Sequence, residues 1–542
     1  MNEQYVLGID FGTESGRVML VRAADGMESA WTVVPYPSGV IERRLPGGPP
    51  LGRDWALQDP RDYLAVLREG VAKVMRFSQI GPEMVVGIGI DFTACTMLPA
   101  LADGRPLCTL PQYAANPHAW VKLWKHHASQ PQADRINQAA ADRLPEWLRV
   151  YGGKVSSEWF FSKVLQIVEE APEIYAAAER LIEASDWIVW QMTGQERRNE
   201  CVAGYKGMWI KGRGFPPQEF LNALDPRLAD VGGKLARDYH PLGSCAGGLT
   251  EAMAAATGLR AGTPVAVGNV DAHAGVPGCG VTRPGALVMI MGTSICHMLL
   301  AEERKLAEGI CGVIQDGIVP GLWGYEAGQA GGGDIYAWCF RTLSQTPESL
   351  TEEAGRLAPG QTGLVALDWW NGNRSVLVDA ELSGVLAGAT LATRPADIYR
   401  ALVEATAFGT YTIIRAFEKE GLDIHDLVAC GSLAQKSPLV MQVFADVTNR
   451  TIRLPRTLQA SGLGAAMHGA VAAGVYRNID EAARHMAGAQ AGHYTPQPAA
   501  HAVYQRIYRE YLALHDYFGR GVNDCLKRLR AIQADQSTSR IS

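Results

Sequence analysis

Gly8-Ile9-Asp10-Phe11-Gly12-Thr13-Glu14-Ser15-Gly16-Arg17 lies between two apolar runs, Tyr5-Val6-Leu7 before it and Val18-Met19-Leu20-Val21 after it. The pattern predicts a strand, a tight glycine turn and a second strand. Such a turn can aim backbone N–H groups at a phosphate. Asp10, just ahead of it, suits a Mg²⁺ ion held through water, because Mg²⁺ prefers oxygen ligands and keeps several waters. An ordinary glycine-rich hairpin has the same local pattern, so this stretch alone leaves both readings open.

A second copy narrows the choice. Ala286-Leu287-Val288-Met289-Ile290-Met291 runs into Gly292-Thr293-Ser294 and out through Cys296-His297-Met298-Leu299-Leu300. Two such hairpins about half a chain apart predict two related domains facing one nucleotide, a layout similar to that of the actin-like ATPases.

At 542 residues the chain exceeds what one core supports, so at least two domains are expected. A hydrophobic content of 47% with 20% charged residues fits a globular chain rather than a disordered one. Net charge is −6 and no basic tract forms a nucleic-acid face. Met1-Asn2-Glu3-Gln4 has no basic region leading into an apolar core, so no signal peptide is expected. The apolar run around 287–301 is interrupted by Gly292, Thr293, Ser294 and His297, so no membrane span is expected. Ten scattered cysteines without a Cys-x-x-Cys pair suit reduced thiols and a cytoplasmic location.

Along the first half, a helical pattern from Arg61 to Phe77 precedes the strand Val85–Ile90, which ends at Asp91. This alternation predicts a mainly parallel sheet covered by helices. Ligands then lie at the carboxyl ends of strands, where Asp10, Asp91 and Asp271 fall. The stretch 243–248 reads as loose, with a new strand opening at Val265. The expected units are therefore 1–260, 261–480 and a helical extension, 481–542. Further expectations are a helix over 395–419, a strand at 427–430, a helix over 438–448, and a frayed tail over 533–542.

Asp271, in Gly268-Asn269-Val270-Asp271-Ala272-His273, can accept a hydroxyl proton during attack on phosphorus, or can simply cap a helix beginning at Ala272. His273 can act as acid or base, or serve packing alone. Gly431, in Gly431-Ser432-Leu433-Ala434-Gln435, lets backbone approach a base or phosphate, or marks a plain helix entry. Lys206 and Glu326 sit in aromatic and glycine-rich surroundings. Lys206 suits pairing with hydroxyls or an anion, with a snorkelling surface lysine as the alternative, and Glu326 is an acid in a similar apolar, glycine-rich run. Trp369-Trp370-Asn371-Gly372-Asn373-Arg374 fits a sugar-stacking loop or a packed turn equally well. Walker A, Gly-x-Gly-x-x-Gly and protein-kinase loop motifs are missing from the sequence.

From Gly8 to about Val475 these blocks, with Asp91-Phe92-Thr93-Ala94-Cys95-Thr96-Met97, Ser185-Asp186-Trp187 and Gly204-Tyr205-Lys206, resemble in order the FGGY carbohydrate kinases, and within them the L-ribulokinase branch. The resemblance implies an α/β actin-like ATPase (ribonuclease H-like) fold, its two related domains enclosing a nucleotide and sugar cleft. It implies Asp271 as catalytic base and Asp10 as the Mg²⁺-associated carboxylate. It places Gly12 and Thr13 at the first phosphate turn and Gly292 and Thr293 at the second. Gly333, Gly431 and Gln435 fall beside the adenosine. Ala94, Lys206, Asp271 and Glu326 fall at the ketopentose. Glycerol kinases carry Arg and Glu where this chain has Ala94 and Cys95, which argues against glycerol. Gly331-Gly332-Gly333 is richer in glycine than the family pattern, and the signature around 157–165 is only partly matched.

The expected activity is transfer of phosphate from ATP to the 5-hydroxyl of L-ribulose, in arabinose use. The expected cofactors are ATP and Mg²⁺. The expected partners are a small-molecule sugar and ATP, without nucleic acid or membrane; a homodimer is left open. The alternatives are a kinase for D-ribulose, xylulose or ribitol, and a non-metabolic actin-like ATPase.

Overall fold

The structure, a computed structural model, describes residues 3–307 and 309–538. The glycine hairpin forms as expected. Strand Tyr5–Phe11 turns through Gly12-Thr13-Glu14 into Ser15–Arg22, with Asp10 opposite Arg17. Glu28–Pro35 extends the sheet on one side. On the other, Val85–Phe92 lies parallel to the first strand and sets Asp91 beside Asp10. The expectation of a mainly parallel sheet is corrected, because hairpin turns force antiparallel neighbours. Tyr5–Phe11, Pro264–Ala266 and Asn269–Val270 run parallel to Val85–Phe92, and the hairpin pairs run antiparallel. The 245–248 segment, expected to be loose, is an edge strand antiparallel to Pro264–Ala266.

The second seven-stranded sheet repeats the plan. Gly285–Met291 and Ile295–Ala301 form its hairpin, Trp323–Gln329 pairs outside, and Ile424–Cys430 runs parallel on the inner side. The first sheet continues through Val270, so the change of sheet falls between Gly278 and Gly285 rather than at 260/261. Strand Gly492–Tyr494 pairs with Ile452–Leu454, which ties the segment after 480 into the second sheet. The helices Pro395–Lys419 and Pro438–Thr448 have the expected bounds. The helix expected over 61–77 spans Pro60–Ser78 with a π-helical middle, Val66–Val71. The tail is helical to Thr538 rather than frayed from 533, and residues 539–542 lie outside the described residues. Among the described residues no helix is long and apolar enough to cross a membrane.

Helix Ala460–Ala472 comes from the second half of the chain and packs on the first sheet and on helix Asp271–Gly278. Its sequence, ASGLGAAMHGAVA, is small enough for backbone to meet backbone. A methyl at Gly464 would sit 1.7 Å from the Ala274 carbonyl oxygen, and one at Gly89 would sit 1.7 Å from that of Ala465. Gly464→Ala gains about 1 kcal/mol of helix propensity. The overlap is with backbone, which cannot rotate away, and overpacking costs ~1–3 kcal/mol or more. The expected net result is a lower urea midpoint for Gly464→Ala than for wild type, measured by fluorescence. An equal or higher midpoint would show that the two helices have room to separate.

Candidate active site

Three carboxylates meet where the first sheet ends. Asp10 and Asp91 are register neighbours on parallel strands, so their side chains leave the same face. Asn269 pairs with Asp91, which brings Asp271 to the same edge as the first residue of its helix. Asp271 is partly exposed, and its Oδ1 accepts the Ala272 N–H at 2.7 Å. Asp10 Oδ2 accepts from Arg17 Nη1 at 3.0 Å. Asp91 is fully buried and neither of its oxygens has a hydrogen-bond partner. Burial, then the charge of Asp10, pushes Asp271 up to about 7. Burial, then Asp10 and Asp271, raises Asp91 well above the carboxylate range.

Three clustered carboxyl groups, two of them pushed towards the neutral form by burial and by each other, suit a hard cation with oxygen ligands that would favour their ionised forms. Among the described residues no cluster of three or more His, Cys, Asp or Glu could hold a metal by itself. Mg²⁺ commonly takes one or two carboxylates and completes its shell with water and phosphate, so the residues present fit it.

Beyond the carboxylates, helix Glu200–Lys206 of the first unit faces strand Trp323–Gln329 of the second. Lys206 Nζ donates to Glu326 Oε1 at 2.6 Å with both side chains buried. Burial opposes both charges, yet each partner outweighs it. Glu326 holds Lys206 above its usual range, and Lys206 with His273 holds Glu326 well below the carboxylate range. His273 Nε2 lies 3.1 Å from Glu326 Oε2, and its Nδ1 lies 3.0 Å from Cys201 Sγ. An ionised Glu326 only accepts, which assigns the proton to Nε2 and makes Nδ1 the acceptor for the thiol. His273 is therefore a buried strut packed at a 39° tilt against Tyr205, with ring centroids 4.1 Å apart.

The two Gly-Thr turns are closed from within. Gly12 N–H donates to Ser15 O and Gly292 N–H to Ser294 O, each at 3.0 Å. These two glycine amides are therefore spent on shaping the turns. Thr13 is braced from both ends: its carbonyl accepts from Gln58 Nε2 at 2.7 Å and its Oγ1 from Trp124 Nε1 at 3.0 Å. Thr293 is exposed, and its carbonyl accepts the Asp334 N–H at 3.3 Å. Gly333 N–H donates to Gly292 O at 3.0 Å, so the 331–333 run packs backbone directly on the second turn and begins helix Gly333–Thr342. Gly431, at φ +94°, follows Ile424–Cys430 and abuts the Met291 carbonyl; Gln435 is exposed one turn on and reaches Leu458 O at 3.2 Å. Ala94 is half-buried in the turn after Val85–Phe92.

The anticipated residues thus fall in two groups: Asp10, Asp271, Lys206 and Glu326 feel one another's charge, and Gly333 and Gly431 pack on the strand and turn at 291–292. The Trp369–Arg374 block resolves to packing, since Trp369 is fully buried against His515 and Trp370 stacks near Trp338. Its last residue, Arg374, reaches Glu158 across the units at 3.7 Å, a contact with no local sequence signal. Ser185-Asp186-Trp187 is structural too, because Asp186 Oδ1 caps Asn199.

Two family models, the N-terminal and C-terminal domains of the FGGY family of carbohydrate kinases, match residues 5–278 and 287–473. The chain belongs to the FGGY family of carbohydrate kinases. It is 53% identical over 555 residues to a ribulokinase of Halalkalibacterium halodurans, covering 99% of each chain. It is 47% identical over 548 residues to a ribulokinase of Mycolicibacterium smegmatis, covering 98% of this chain and 97% of that one. The FGGY fold is shared with a xylulose kinase of Rhodospirillum rubrum (TM-score 0.78, 23% identity, 94% and 98% of the chains). It is shared also with a gluconate kinase of Lactobacillus acidophilus (TM-score 0.81, 18% identity, 96% and 99%).

Removing one member of a buried ion pair strands the other and costs ~3–5 kcal/mol. Lys206→Met should lower the denaturation midpoint strongly, and adding Glu326→Gln should recover part of the loss. A double variant whose loss equals the sum of the single losses would show that the pair is not coupled.

Proposed function

We propose that this FGGY kinase transfers the γ-phosphoryl group of ATP to the 5-hydroxyl of L-ribulose, as a cytoplasmic step of arabinose use. The observation that carries this reading is that strand pairing brings Asp271 to the same edge as Asp10 and Asp91, where it feels the charges of Asp10, Glu326 and Lys206. Near-complete coverage by relatives named ribulokinase supports the choice of sugar.

In this reading Lys206, Glu326 and the Ala94 turn hold the ketopentose with its terminal hydroxyl at Asp271. The hydroxyl oxygen forms a bond to the γ-phosphorus as the bond from phosphorus to the β,γ-bridging oxygen breaks. ADP departs, and the hydroxyl proton passes to an Asp271 carboxylate oxygen. The turns at Gly12-Thr13 and Gly292-Thr293 place the phosphates, while Gly333, Gly431 and Gln435 border the adenosine. Asp10, backed by Asp91, would hold Mg²⁺, which when bound neutralises phosphate charge. Positioning and charge stabilisation supply most of the acceleration. Packing of the two units around the sugar keeps water from competing as acceptor.

An ADP-release assay over ketopentoses and pentitols tests the substrate. L-Ribulose should have the highest kcat/KM; a higher value for D-ribulose, xylulose or ribitol would reassign it. Asp271→Asn should lower kcat by about 10²–10⁴ while sugar binding stays measurable by calorimetry. Turnover within about tenfold of wild type would remove Asp271 from the role of base.

A base works ionised, so kcat/KM should rise with pH. With Asp271 at about 7 in the ligand-free protein, and a bound cation pulling it down, the limb should fall at or below pH 7. A kcat/KM that falls as pH rises from about 5 to 7, or whose rising limb lies well above about 7, would place the base elsewhere.

A further inference from the structure

We infer that Lys163 is a positioning residue for the sugar: its ammonium clamps the Ala94–Cys95 turn to the segment that braces the first phosphate turn. The inference rests on the kinase reading above and adds a residue to it.

Lys163 lies on helix Phe160–Glu170 and is fully buried. Its Nζ donates to Cys95 O at 2.5 Å and Leu123 O at 2.8 Å, and reaches Lys122 O at 3.5 Å. Buried lysines are rare unless paired, and a buried cation that keeps its charge needs every N–H satisfied. Here three backbone carbonyls meet the three donors of the ammonium. Those carbonyls belong to two loops far apart in sequence.

The first loop is the turn from Val85–Phe92 into Met97–Ala100. Cys95 is left-handed there, at φ +56°, a conformation costly for a residue with a Cβ. The shortest of the three bonds goes to that residue's carbonyl. Thr93 and Thr96 close the turn through their hydroxyls at 2.9 Å, and Thr93 N–H donates to Phe11 O at 3.1 Å. The turn is thereby fixed to the end of the strand that carries Asp10, with Ala94 at its tip.

The second loop carries Trp124, whose indole N–H donates to Thr13 Oγ1 at 3.0 Å. One ammonium thus sets the spacing between the turn proposed to meet the sugar and the turn proposed to meet phosphate. No atom of Lys163 is exposed to the cleft, so it acts through these carbonyls and not by contact with substrate.

The test compares Lys163→Met, which keeps the alkyl stem and loses every donor, with Lys163→Gln, which keeps one amide. Lys163→Met should raise the L-ribulose KM by about tenfold or more and the ATP KM by less, with Lys163→Gln between wild type and Lys163→Met. Hydrogen–deuterium exchange of folded Lys163→Gln should show residues 93–97 and 121–125 losing protection together, while Val85–Phe92 and Gly285–Met291 keep theirs. The exchange result stands even where Lys163→Met does not fold. An unchanged ribulose KM in both variants would overturn the inference. Protection lost across the whole first sheet would overturn it as well, because the lysine would then serve general folding. Failure of the wild-type chain to phosphorylate L-ribulose would instead sink the substrate reading, and the exchange pattern would still decide the clamp.

Discussion

The site depends on backbone-to-backbone packing of helix Ala460–Ala472 against two strands and a second helix. A methyl at Gly8 would lie 2.0 Å from the Gly462 carbonyl oxygen, and the Gly89 and Gly464 contacts are as close. Asp10 stands two residues beyond Gly8 and Asp91 two beyond Gly89. Asp271 opens the helix that Gly464 touches at Ala274. The spacing of the three carboxylates is therefore set by main-chain contacts, which have no rotamers to relax. Interiors at this density transmit a displacement instead of absorbing it.

The chemistry acts against this rigid frame. Three acids in one corner disfavour one another's charge, and Asp91, fully buried, has Asp10 and Asp271 as charged neighbours of the same sign to raise it. Across the cleft Lys206 and Glu326 form a neutral pair that joins the units, and His273 fixes the carboxylate from its far side. The unsatisfied charge is concentrated on the side where a cation and phosphates would sit. The satisfied charge lies on the side where a neutral sugar would sit.

Much of this was legible in the sequence. Both hairpins announce themselves as an apolar run, a Gly-Thr turn and an apolar run, and helix 395–419 is bounded by Pro395 and Gly421. Gly431 could be read as a close-approach position because glycine imposes no side chain there, whereas Gly333 was placed by the family resemblance alone. Contacts between distant segments were not legible. The edge strand 245–248 looks like loop because glycines dominate it, and only its pairing with 264–266 makes it a strand. The unit boundary was read too early for the same reason: two short strands after 260 belong to a partner strand far back in the chain. Lys163 sits in an ordinary amphipathic helix, and nothing local marks its acceptors, which lie forty and sixty-eight positions away.

The internal closure of the two Gly-Thr turns has a consequence for how a nucleotide arrives. Gly12 and Gly292 are bonded within their own turns, and Thr13 is held from both sides by Gln58 and Trp124. Ordering a loose loop on binding commonly costs about 0.5–1.5 kcal/mol for each immobilised side chain. Turns already in shape avoid that loss. A ligand proposed for these turns would meet them without that ordering step.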